Sequence, residues 1–186
     1  MNKKEIQILY GDWATDNPRG YPVASSVFFS PDASLLAAHI TPRRSIVWDV
    51  SSGERVIEFD NTQVFGFSHD GMMMVTSVSN YLIGVYDTAT WKMVNSSMYI
   101  SGSVISIKFT LDDELLIVLN RYGNITFWNW KTGKAIRTVH PSRPYTHPFV
   151  GQSLELSPDG TLLVHHSNKN VKEGNKEVII DIWGVP

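Results

Sequence analysis

The sequence contains no cysteine, which excludes disulfide staples and thiolate metal sites. It also lacks a charge excess: 16 Lys and Arg against 18 Asp and Glu give a formal net charge of −2. That balance supplies no basic field, and it argues against a nucleic-acid partner. No apolar run approaches the ~20 residues of a membrane-spanning helix, so no membrane partner is expected. The apolar stretch after Met1-Asn2-Lys3-Lys4-Glu5 is too short for a signal-peptide core, and a cytoplasmic location is the expectation. No segment of ten or more residues carries apolar positions at the helical period, which points to an all-β chain. Nucleophile elbows, phosphate loops and zinc-protease spacings are missing too. The chain therefore reads as non-enzymatic, with no catalytic residue, no metal and no cofactor expected.

The 186 residues are 42% hydrophobic, enough to bury a core. Their apolar runs are short and are separated by turn formers, the pattern of antiparallel strands. The unit from Ser30 to Phe59 shows it most clearly. It has a Ser30-Pro31-Asp32 turn, Leu35-Leu36-Ala37-Ala38, a polar break, Ile46-Val47-Trp48-Asp49, the Ser52-Gly53 turn and then Val56 to Phe59. The first turn recurs as Ser68-His69-Asp70, Thr110-Leu111-Asp112 and Ser157-Pro158-Asp159. The third strand recurs as Tyr86-Asp87, Trp128-Asn129 and Trp183-Gly184. Both markers keep a spacing of about forty residues, which is a repeat architecture. The wider last interval places an insertion between Val164 and Val178. A long loop is therefore expected over Ser167 to Glu177, and a second over His140 to Val150. Gly66 and Gly84 fall inside strands and mark a bulge or a close approach.

The Ser-Pro-Asp turns and the strands ending in Trp-Asp or Trp-Asn resemble the WD-repeat family of β-propellers, over nearly the whole chain. The family's Gly-His pair is absent from every unit, and its Asp before the Trp strand is replaced by residues such as Asn80 and Tyr122. The buried hydrogen-bond set that those groups form in the family is thus broken here, and apolar packing must carry the blades. The resemblance implies four four-stranded blades, at residues 23–60, 61–100, 101–140 and 149–186, in one unit spanning 1–186. It also implies that a strand at residues 5–10 completes the last blade. Trp48, Tyr86, Trp128 and Trp183 would then be structural blade residues.

Four blades closing alone must each turn by about 90°, against about 45° for eight, so a self-closed ring is strained. A half-ring that pairs with its own copy as a homodimer, giving eight blades, and a part of a longer propeller are the favoured alternatives. WD-type propellers serve many roles. The first reading of function is a scaffold that presents one loop-rich face to a protein partner, with Arg43, Arg44, Tyr81, Arg121, Tyr122 and Tyr145 as anchors. A small-ligand or catalytic propeller would instead need convergent polar groups on the innermost strands, which are rich in Val, Phe, Ile and Ser. An RNA-associated subunit would betray itself by steep salt dependence. Neighbouring strand residues point to opposite faces, so His165 and His166 are read as a structural pair and not as metal ligands.

Overall fold

The computed structural model describes residues 24–40, 44–140, 153–170 and 176–185, with 167–170 and 176–179 described by backbone alone. Among these residues every regular element is a strand. The first sheet consists of β1 (Ala24–Phe29), β2 (Leu35–Ile40), β3 (Arg44–Asp49) and β4 (Arg55–Asp60). The second consists of β5 (Gln63–Phe67), β6 (Met73–Ser79), β7 (Leu82–Asp87) and β8 (Met93–Tyr99). The third consists of β9 (Val104–Phe109), β10 (Leu115–Asn120), β11 (Ile125–Asn129) and β12 (Lys134–Val139). The last consists of β13 (Ser153–Leu156), β14 (Leu162–Asn170) and β15 (Lys176–Gly184). Each sheet is an antiparallel meander in chain order, the expected blade topology. The proposed completing strand at residues 5–10 lies outside the described residues.

Turn chemistry explains why the units repeat. Ser30 Oγ donates to Asp32 Oδ1 at 2.6 Å while accepting from Leu35 N at 2.9 Å, and Asp32 accepts from Ser34 N at 3.0 Å. One hydroxyl and one carboxylate thereby satisfy the backbone at the start of the next strand. Ser68 with Asp70, Thr110 with Asp112 and Ser157 with Asp159 repeat the arrangement. The hydroxyl bond is the main reason that all four carboxyls sit below their ordinary value. The hairpins between third and fourth strands use Asp49, Asp87 and Asn129 in the same spirit. Asp49 Oδ1 accepts from Ser51 Oγ at 2.6 Å and from Ser52 N at 2.8 Å, and its pKa falls to about 2.

The sheets stack face to face through apolar clusters. Ala37, Val47 and Phe59 of the first blade meet Val64, Met74 and Tyr86 of the second, with Phe59 edge-on to Tyr86 at 4.8 Å. Val75, Ile83, Val85 and Met98 meet Ile107, Phe109, Leu116 and Val118 between the second and third blades. Ile117, Leu119, Ile125 and Phe127 meet Leu154 and Leu163 between the third and fourth. The innermost strands β1, β5, β9 and β13 stand side by side in that order and line an axial hollow of about 530 Å³. Among the described residues the sheets do not close a ring.

One expectation is corrected. The stretch from Ser167 to Glu177 is mostly not a loop, because β14 and β15 continue their ladder out to Asn170 opposite Lys176. The insertion lengthens a hairpin, and its polar composition hid the strands. Met74 is buried and Met73 packs at the edge of a cluster, while Met72 lies in the turn and is exposed. Gly66 sits at a bulge in β5, and a Cβ at Gly84 would lie 2.6 Å from Val78, as expected of both positions.

Candidate protein-interaction face

The hairpins between the second and third strands of the second and third blades meet the link between those two blades along one rim. They are stitched together by two backbone bonds and one side-chain bond. Ile100 N donates to Tyr81 O at 2.8 Å, Arg121 N donates to Ser103 O at 2.8 Å, and Asn120 Nδ2 donates to Ser101 O at 2.6 Å. Asn120 Oδ1 also accepts from Tyr122 N and Asn124 N, which fixes the hairpin tip. The Tyr122 ring lies against the backbone of Gly102, where a Cβ would be 2.5 Å from Cε2, and the φ of +88° there suits glycine alone. Arg121 lies over the same ring at 5.5 Å from its centroid. Tyr81 and Tyr122 are exposed, and so is Tyr99 at the end of β8.

Of the anchors expected from sequence, Tyr81, Arg121 and Tyr122 are thus held by one network of loop contacts. Arg44 is different: it begins β3, and its guanidinium lies 2.9 Å from Glu58 and 3.9 Å from Asp60, so its charge is shared within its own sheet. Arg43 and Tyr145 lie outside the described residues. Tyr99 was missed, because its sequence position reads as the end of a strand.

Trp48, Tyr86, Trp128 and Trp183 occupy one equivalent position on β3, β7, β11 and β15. Trp48 and Tyr86 are buried and the other two are half-buried. The indole N–H groups of Trp48 and Trp128 are buried without a hydrogen-bond partner, in line with the broken polar set. His165 is fully buried and stacks on Trp183 at 6.2 Å, and burial pushes its imidazole below the ordinary value. His166 faces the other way, 2.9 Å from Ser153 Oγ. Among the described residues no group of three or more metal-capable side chains occurs, and no helix is long and apolar enough to cross a membrane. The axial hollow is walled by residues such as Phe29, Phe65 and Ile107, and its Lys108 is paired with Glu155 at 3.0 Å.

No family model matches the sequence. Similar curated proteins include WD repeat-containing protein 91 of Pongo abelii, 23% identical over 155 residues that cover 77% of this chain and 22% of that protein. The same protein of Bos taurus is 23% identical over 175 residues, covering 80% of this chain and 24% of its own. That of Rattus norvegicus is 22% identical over 153 residues, covering 76% and 20%. The chain therefore spans a quarter or less of the length of these relatives. Meandering sheets built on one Ser/Thr-x-Asp turn, stacked in chain order and matched by these proteins, relate the chain to the WD-repeat family.

Proposed function

We propose that the chain is a non-enzymatic scaffold that binds a protein partner through the rim carrying Tyr81, Tyr99, Arg121 and Tyr122. The supporting observation is the stacked Arg121–Tyr122 pair held against Gly102 by main-chain bonds. Exposed aromatic and Arg side chains that are already fixed lose little conformational entropy on binding, and such residues dominate interface energetics. The family relationship supports a general scaffold role.

The test is affinity capture with the tagged chain and its R121A/Y122A variant. A partner that uses this rim is expected to bind the variant at least ~10-fold more weakly, the scale of one strong interface residue. The melting temperature should stay unchanged, because both side chains lie outside the blade cores. Equal capture by both chains rejects the rim.

A further inference from the structure

Charge is sorted between the two ends of the second and third blades. An antiparallel meander places its first-to-second and third-to-fourth turns at one end of the sheet and its second-to-third hairpin at the other. All five carboxylates between residues 61 and 139 lie at the first of these ends, and each is engaged. Asp70 and Asp112 accept from the Ser68 and Thr110 hydroxyls at 2.6 Å, and Asp87 accepts from Thr90 N at 2.7 Å. Asp113 accepts from His69 N at 2.9 Å, and Glu114 pairs with Lys131 at 2.8 Å.

The rim lies at the other end. Its segments 79–81, 99–103 and 120–124 hold no Asp or Glu and one Lys or Arg, which is Arg121. Among the described residues the Arg121 guanidinium has no carboxylate partner, and what it touches is the Tyr122 ring. Arg44, on the same side of the first blade, is by contrast neutralised within its own sheet by Glu58 at 2.9 Å. A guanidinium that stacks through its plane keeps its N–H edge for a bidentate acceptor. Tyr81 and Tyr99 add exposed ring surface to the same rim.

We propose that the occupant of this rim is an acidic protein segment, with an Asp or Glu side chain of the partner taking the N–H edge of Arg121. The proposal rests on the reading of the rim as the interaction face and names the chemistry of what binds there. A lone cation matches the single charge of a carboxylate, whereas a phosphate group carries nearly two charges and is met by clusters of Arg. The carboxylates at the far end repel the same segment, so the charge pattern also selects the face.

The native chain serves as bait for a displayed random-peptide library, and each enriched peptide is resynthesised with its acidic residue as Glu, Gln or phosphoserine. Enriched peptides should carry an Asp or Glu whose exchange for Gln weakens binding at least ~10-fold, the effect of losing a hydrogen bond to a charged group. The Arg121→Gln chain should bind the Glu and Gln peptides alike, at the weaker affinity, with an unchanged melting temperature. Arg121→Lys keeps the charge without the fork and should fall between. Peptides that lose affinity to a Tyr122→Ala chain but not on the Gln exchange leave the rim as the interaction face and overturn the acidic partner. Peptides indifferent to both Tyr122→Ala and Arg121→Gln reject the rim itself, and the proposal with it. A phosphoserine peptide that binds more tightly than its Glu parent overturns the carboxylate, and so does a library that yields no binder.

Discussion

Replacing Ser68 with Ala removes the hydroxyl that ties the first strand of the second blade to its second strand. Ser68 is fully buried; its Oγ donates to Asp70 at 2.6 Å and accepts from Met73 N at 2.9 Å. A bond to a charged acceptor contributes about 1.5–3 kcal/mol and a neutral one about 0.5–1.5 kcal/mol. Asp70 keeps its bond from Met72 N and gains water, so the net loss is about 2 kcal/mol. For a chain of this size that lowers the melting temperature by about 4–8 °C. A second readout follows from the same contact. Ser68 is the main cause of the depressed Asp70 pKa, so the variant's carboxyl should titrate closer to the ordinary value. A folded-state pKa below the unfolded one stabilises above the unfolded value, and that stabilisation is lost as pH falls through the folded one. The stability gap between the two chains should therefore narrow below about pH 4. Calorimetry and NMR titration of Asp70 read both effects. A shift under about 1 °C with an unmoved carboxyl refutes the assignment of this turn as the repeated stabilising device.

Leu116→Ala empties a fully buried position between the second and third blades, and should cost about 2–5 kcal/mol in urea unfolding. His165 is buried with its pKa lowered by desolvation, opposed by Asp181 at 3.9 Å and reinforced by His166. Its contribution is therefore present above the unfolded pKa of about 6.5 and is lost as pH falls below it. A His165→Gln chain should show a flatter urea midpoint across that range, and an unchanged slope contradicts the assignment. Gly102→Ala should displace the Tyr122 ring and strain a positive φ, costing about 1 kcal/mol or more and weakening rim binding, as measured by melting and affinity capture.

The blades were legible in the sequence because their turn chemistry is local. Ser30 and Asp32 lie two residues apart and announce the hairpin by themselves, and the aromatic at Trp48 marks the same strand in each unit. What stayed hidden depends on residues far apart in the chain. Nothing near His69 signals that Asp113 will accept from it, since that contact exists only once two blades are stacked. Arg44 read as a free anchor because Glu58 and Asp60 become its neighbours only through the register of β3 with β4. The outer part of the β14–β15 ladder, Ser167 to Asn170 and Lys176 to Glu177, was read as loop because Asn and Lys are poor strand formers and the ladder that holds them is set by the partner strand. Tyr81, Arg121 and Tyr122 were legible as loop residues, but the bonds that lock their loops together were not.

The central claim is that successive sheets stand side by side around an axis, with equivalent innermost strands in contact. Zero-length carbodiimide coupling of the native chain, followed by peptide mapping, tests it most directly. Lys108 Nζ lies 3.0 Å from Glu155 Oε2 across the third and fourth blades, 47 residues apart in the chain. The account predicts an isopeptide bond between Lys108 and Glu155 within one chain. Lys108 coupled to other carboxylates, with Glu155 left free, would contradict it.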